Sequence, residues 1–300
     1  MEKKFKSGFI ALIGRPNVGK STLMNALVGQ KVAIMSPKPQ TTRNRIQSIL
    51  TTEDKQVIFV DTPGIHKPKS KLGEYMNAAA LFTFKEVDLI FWLIEPNDTI
   101  GAGDQFIIEK LKEAGTPVIL LINKIDTVEK PFLLKVIDAY KDSYPFLEIL
   151  PISALKQENT DRIMEIIDQH LEEGPQFFPD DMITDQPERQ ILSELIREKI
   201  LKLLQEEIPH GVAVTIDSMD ETEDGSQIII DATIVCEKKS HKPIILGKGG
   251  SMIKQIGILS RRDIEGFLGM HVRLNLWVKI KENWRDSEFL MKNYGYRKGE

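Results

Sequence analysis

Cysteine is nearly missing from this chain: Cys236 stands alone among 300 residues. That excludes an internal disulfide framework and suits a reducing compartment. Its apolar, strand-like surroundings point to a buried structural thiol, not a reactive one. No apolar run approaches the ~20 residues that a membrane-spanning helix requires, which leaves only peripheral contact with a membrane open. The first residues, Met1-Glu2-Lys3-Lys4-Phe5-Lys6, are basic, but a short apolar run follows with no cleavage site, so no targeting peptide is expected. Histidines are few and scattered, and no cluster has metal-ligand spacing. An excess of positive charge is also missing. The net charge is −4, which as a total argues against a nucleic-acid binder.

What is present is a globular composition, 41% hydrophobic and 28% charged, with ample material for a core. The length suggests two domains, at ~150 residues each. The charge is unevenly spread. Between Lys238 and Lys281 the basic positions 238, 239, 242, 248, 254, 261, 262, 273, 279 and 281 face only Asp263 and Glu265. Residues 212–227 hold Asp217, Asp220, Glu221, Glu223 and Asp224 and no base. Such segregation makes a local positive field inside a mildly acidic protein.

Four segments in the first half have the order and spacing of a guanine-nucleotide switch. Gly14-Arg15-Pro16-Asn17-Val18-Gly19-Lys20-Ser21-Thr22 contains the P-loop pattern G-x-x-x-x-G-K-[ST]. It lies between an apolar run, Phe9–Ile13, and a helical pattern, Thr22–Val28, which Gly29 ends. Backbone N–H groups and a helix N-terminus there attract phosphates. Lys20 is expected to reach the β and γ phosphates, and the Ser21 hydroxyl to bind Mg²⁺. Asp61-Thr62-Pro63-Gly64-Ile65 follows the apolar Gln56–Val60. An aspartate at such a strand end holds magnesium in P-loop enzymes, and Gly64 lets a backbone N–H approach the γ-phosphate. Residues 31–43 read as a mobile loop whose Thr42 (or Thr41) completes the metal shell. Lys20, Thr42 and Gly64 are the candidate catalytic residues; Ser21, Thr42 and Asp61 are the candidate metal ligands.

Asn123-Lys124-Ile125-Asp126 follows Pro117–Ile122. A carboxylate such as Asp126 accepts both N–H groups of guanine and would be left unpaired against adenine, which selects GTP over ATP. Asn123 and Lys124 would tie this loop to the P-loop and cover the base. Ser153 and Ala154 follow the run 146–150, with the Ala154 N–H expected to bond the guanine O6. Many GTPases orient the attacking water with a glutamine after the D-x-x-G glycine. That position is Ile65, so intrinsic hydrolysis is expected to be slow. His66 beside it reads as a solvated loop histidine.

Apolar runs alternate with helical patterns from Gly8 to Leu171, as in an α/β fold with a mostly parallel sheet. Residues 174–187 contain three prolines and no helical period, and read as a linker, although Phe177 and Phe178 suggest that it packs on something. The expected organisation is a GTPase domain at 1–173, this linker, an RNA-binding domain at 188–284 and a tail at 285–300. The second domain opens with a helix whose Ile191, Leu195, Ile196, Ile200, Leu203 and Leu204 share a face. Strands at 212–216 and 227–235 enclose an acidic hairpin loop, and His271–Ile280 alternates as a closing strand. Between them Gly247-Lys248-Gly249-Gly250 has the GxxG form that clamps single-stranded RNA. A helix from Ser251 follows, and Ser260–Asp263 reads as a capping box for another. Ile244, Ile245, Gly247, Lys248, Gly249, Gly250 and Lys254 are the candidate RNA-binding residues. A second GxxG, Gly266 to Gly269, is given no function.

These motifs together resemble the Era GTPases over nearly the whole chain. Gly14–Ser21, Lys38–Arg43, Asp61–Ile65 and Asn123–Asp126 all look like Era sequences, including the apolar Ile65. The resemblance implies an α/β P-loop GTPase domain, a mostly parallel sheet flanked by helices, followed by an α+β KH domain with an extra N-terminal helix. It implies binding to the 3′ end of small-subunit (16S) ribosomal RNA and a part in assembling the small ribosomal subunit. A cytoplasmic monomer with peripheral association to the cytoplasmic membrane is expected. Asn17 matches a P-loop asparagine that helps bind potassium in related GTPases. Two other readings stay open: a KH-like domain that binds protein or membrane, and a GTP-dependent RNA-modifying enzyme, which lacks a second catalytic constellation here.

Overall fold

Short runs with no polar interruption, such as Leu89–Ile94 and Val118–Ile122, become strands buried on both faces. The structure, a computed structural model, describes residues 5–205 and 208–297. Its contacts divide into two units, one of residues 1–35, 42–69 and 73–185, the other of residues 36–41, 70–72 and 186–300.

The first unit is built on β1 (Lys6–Gly14), β2 (Ile46–Thr51), β3 (Lys55–Asp61), β4 (Leu89–Ile94), β5 (Val118–Ile122) and β6 (Glu148–Pro151). They form one sheet in the order β2-β3-β1-β4-β5-β6. Only the β2–β3 pair is antiparallel. Helices α1 (Lys20–Val28), α2 (Lys71–Thr83), α3 (Ala102–Ala114), α4 (Lys130–Tyr140) and α5 (Thr160–His170) follow in alternation. Strand side chains divide with a period of two between the faces. Ile10, Leu12, Phe59 and Phe91 enter one core, and Ala11, Ile13, Val60 and Trp92 the other. Strand β1 lies where the chain order reverses, with β3 on one side and β4 on the other, and ligands of such sheets bind at that carboxyl edge.

The stretch expected as a linker is laid on this unit as far as Asp185. Gln56 is fully buried, and its Oε1 accepts the N–H groups of Phe177 and Phe178 at 2.8 and 3.0 Å. The Phe177 ring meets Phe9 edge-on at 5.1 Å. The Ile49 N–H donates to the Ile183 carbonyl and the Thr184 hydroxyl to that of Gln47. Edge strand β2 is thereby covered, which removes an exposed row of backbone groups.

The second unit runs α6 (Glu188–Leu203), β7 (Val212–Glu221), β8 (Gln227–Cys236), α7 (His241–Leu246), α8 (Ser251–Leu268), β9 (His271–Ile280) and α9 (Glu288–Asn293). Its sheet order is β7-β8-β9, antiparallel then parallel. Helix α6 buries far more than one face. Arg197, Glu198 and Lys199 are buried with the expected leucines and isoleucines, and they are neutralised by pairing: Arg197 with Glu194, and Lys199 with Glu198 and Asp263. Buried charges persist only when paired in this way. Cys236 is fully buried, and burial pushes its thiol up.

One expectation is corrected here. Ser260 caps no helix: it lies inside the unbroken α8, fully buried, and Asp263 pairs with Lys199 instead. Among the described residues of the expected tail, α9 is helical and Tyr296 is buried. Trp284 is fully buried, donates its indole N–H to the Gly211 carbonyl at 2.9 Å and stacks on Tyr296 at 5.8 Å.

Candidate functional site

Three of the four switch segments leave the carboxyl ends of β1, β3 and β5, and the sheet brings them together. The Ser21 hydroxyl, in the first turn of α1, donates to Asp61 Oδ2 at 2.6 Å. Thr42 Oγ1 lies 2.9 Å from Ser21 Oγ and 3.1 Å from the same carboxylate oxygen. The Thr41 hydroxyl instead donates to the Lys38 carbonyl at 2.6 Å. Asp61 is fully buried, and its Oδ1 has no hydrogen-bond partner among the described residues. A buried carboxylate with one free oxygen, flanked by two hydroxyls, is a hard-oxygen donor set suited to Mg²⁺. Among the described residues no group of three or more His, Cys, Asp or Glu could cage a metal. Magnesium at nucleotide sites needs none, because phosphates and water complete its shell.

Lys20 is buried, and its ammonium donates to the carbonyls of Gly14 at 3.2 Å and Arg15 at 3.1 Å. Burial lowers its pKa to about 8, against the pull of Asp61. Burial likewise raises the Asp61 carboxyl, opposed by Lys20, Ser21 and Thr42. Each charge is costly to bury and is relieved by an opposite charge placed beside it. For Lys20 that describes a phosphate cradle.

Switch glycine Gly64 sits hard against the P-loop. A Cβ there would lie 2.6 Å from the Pro16 backbone nitrogen. Residue Gly19 is equally constrained, with φ of 102° and a built Cβ only 2.2 Å from Asn123 Nδ2. Both are glycine because two loops touch there.

Asn123 is the joint of the base-reading side. Its Nδ2 donates to the Val18 carbonyl at 2.7 Å, and its Oδ1 accepts the Ala154 N–H at 2.9 Å. The Ala154 N–H is the group expected on guanine O6. Ser153 Oγ donates to Asp126 Oδ1 at 2.6 Å and fixes the carboxylate expected to read the base. Lys124 has φ of 64° and pairs with Glu95. Ile125 is buried.

Several residues grouped with the nucleotide turn elsewhere. Ile65 is 3% exposed and packs into the sheet core, while its N–H donates to the Gly14 carbonyl at 3.1 Å. The Thr62 hydroxyl is tied to the Leu12 carbonyl at 2.8 Å. His66 is half-buried in its loop: its Nδ1 lies 2.8 Å from the Gly64 carbonyl, and Asn77 holds its backbone on both sides. Glu95, at the carboxyl end of β4, is absent from the expected site although its apolar strand signals that edge. Asp104 and Tyr140 carried no such signal.

The second unit carries a separate groove. Gly247, with φ of 73°, turns the chain after α7, and Lys248–Gly250 leads into α8. A Cβ on Gly249 or Gly250 would meet nothing within 4 Å, so the loop is open to a backbone ligand. Beside it a cavity of about 370 Å³ is lined by Lys254, Arg261 and Arg273 together with Ile253, Ile258 and Leu274. Ile244 is 48% exposed, but Ile245 is fully buried in the core and is not available to RNA. The second GxxG is a helix end, with Gly269 as the left-handed cap of α8.

Residues 9–124 match the family described as 50S ribosome-binding GTPase, and residues 207–285 match the KH domain. The chain is 55% identical over 293 residues to GTPase Era of Clostridioides difficile (strain 630), covering 97% of this chain and 99% of that protein. It is similar to a crystal structure of Era in complex with MgGDPNP and nucleotides 1506–1542 of 16S ribosomal RNA, with a TM-score of 0.94 and 39% identity over 97% of this chain and 99% of the other. A crystal structure of an Aquifex aeolicus Era variant bound to GDP·AlF4⁻ matches with a TM-score of 0.93 at the same identity and coverage.

Replacing the acceptor-only carboxylate by an amide tests the base-reading geometry. Asp126→Asn is expected to weaken GTP binding by roughly 10⁴ and to favour xanthosine triphosphate, whose carbonyl at C2 accepts from the amide. Competition of both nucleotides against a fluorescent GDP checks it; retained preference for GTP would move base selection away from Asp126.

Proposed function

The chain belongs to the Era family of GTPases, and from that premise we propose that it is a GTP-driven switch that binds the 3′ end of small-subunit ribosomal RNA and acts in small-subunit assembly. The observation that carries the enzymatic part is the meeting of Ser21, Thr42 and Asp61 beside buried Lys20. Phosphoryl transfer asks the protein mainly for positioning and charge stabilisation, and these groups supply both. Magnesium, when bound, neutralises phosphate charge, and Ser21, Thr42 and Asp61 would hold it. Lys20 exchanges its two P-loop carbonyls for phosphate oxygens. Ile65 faces the core, so no side chain at the glutamine position orients water, which supports slow intrinsic hydrolysis.

The RNA part is supported by the open glycine loop and the basic, apolar-floored groove of the second unit. The small subunit is favoured over the large because the relative solved with 16S ribosomal RNA matches nearly the whole chain, whereas the GTPase-family match ends at residue 124. A cytoplasmic location with peripheral membrane association rests on the family resemblance alone. A potassium ion beside Asn17, which holds a left-handed φ of 68° in the P-loop, is part of the same reading.

Binding of the full chain to the 3′ tail of small-subunit ribosomal RNA, beside a scrambled strand, tests the RNA reading. Selective binding is expected, and Lys248→Glu should weaken it and reduce the slope of log affinity against log salt by about 1. Binding that is unselective or indifferent to Lys248→Glu would favour a protein or membrane partner. Hydrolysis is expected to run faster in potassium than in sodium at equal ionic strength; equal rates would remove the potassium site.

A further inference from the structure

Beside the P-loop the first unit holds a cavity of about 160 Å³, lined in part by Arg15, Pro16, Glu95, Asp104 and Tyr140. Arg15 belongs to the P-loop, but its guanidinium ends at Asp104, Nη1 to Oδ2, at 3.5 Å. Asp104 stands in the first turn of α3 and is 5% exposed. The Tyr140 hydroxyl donates to the same oxygen at 3.3 Å. Tyr140, the last residue of α4, is itself buried, with its ring edge-on to Trp92 of β4 at 5.9 Å. A chain of contacts therefore runs from the central sheet through α4 and α3 to the P-loop.

The Arg15 stem lies along Gly103, where a Cβ would come within 3.4 Å of its Cδ and Nε. Burial raises the Asp104 carboxyl, and the Arg15 cation and Tyr140 hydroxyl oppose this. Half-exposed Arg15 is thus the counter-charge of a buried anion, and a buried charge left unpaired is costly.

The Arg15 backbone is where the catalytic parts converge. Its carbonyl accepts from Lys20 Nζ, and the next residue, Pro16, is the surface against which Gly64 sits. Proline has no N–H, so the loop cannot be pinned there by a backbone donor. The neighbouring cavity leaves room for it to shift. We propose that Asp104, buttressed by Tyr140, is a positioning residue for GTP hydrolysis: it anchors the Arg15 side chain and so fixes the P-loop backbone around Lys20 and against Gly64. The proposal rests on the GTPase activity of the family and not on the RNA reading.

The test uses the full chain with Asp104→Asn, Tyr140→Phe, Arg15→Ala and Arg15→Lys, each read by single-turnover GTP hydrolysis, fluorescent GDP affinity and thermal unfolding. Small misplacements of a reacting group cost rate steeply, so Arg15→Ala and Asp104→Asn are each expected to slow hydrolysis about tenfold. Affinity for GDP should stay within about threefold, Arg15→Lys should restore part of the rate, and the double variant Arg15→Ala with Asp104→Asn should be no slower than the slower single one. Losses that multiply in the double variant, or a rate loss matched by an equal loss of affinity, would overturn the proposal. If Asp104→Asn does not fold, Arg15→Ala and Tyr140→Phe decide the matter, and unchanged rates in both would overturn it.

Discussion

The first unit is organised around one buried carboxylate. Asp61 ends strand β3, and burial there makes its charge expensive. Two hydroxyls and one ammonium are arranged to stabilise it, Lys20 and Ser21 from the start of α1 and Thr42 from the loop before β2. Both segments must reach the same point, so the carboxylate fixes where they meet. One of its oxygens is still left for a metal. The interaction that holds the site together is also the one the ligand completes.

The glycines follow from the same constraint. Loops converging on one point come into backbone contact, and Gly19 and Gly64 mark where Asn123 and Pro16 leave no space for a side chain. Asn123 extends the network to the base, holding Val18 on one side and Ala154 on the other. Phosphate and base recognition are therefore mechanically one structure, which is why the motifs recur as a set.

The motif residues were legible in the sequence because their chemistry needs fixed residue types just after apolar runs, and both features survive without any knowledge of tertiary contacts. The residues that misled did so for tertiary reasons. Ser260 and Asp263 have the spacing of a capping box, yet α8 continues through them because its core contacts do, and Asp263 is claimed by Lys199 across the fold. Ile245 looks like its exposed neighbour Ile244 in sequence; only the packing of α7 separates them. The prolines at 174–187 signal irregular backbone but not that buried Gln56 would hold it down. Asp104 and Tyr140 are ordinary helix residues until the fold sets them against Arg15.

The most direct test of the metal-centred account is the magnesium dependence of nucleotide affinity in Thr42→Ala. Thr42 is the one proposed ligand supplied from outside the strand-and-helix frame. A charge-assisted contact of this kind contributes about 1.5–3 kcal/mol. The account predicts that a non-hydrolysable GTP analogue loses at least about tenfold of its magnesium-supported affinity, while GDP affinity is unchanged. Equal losses for both nucleotides, or none for either, would contradict it.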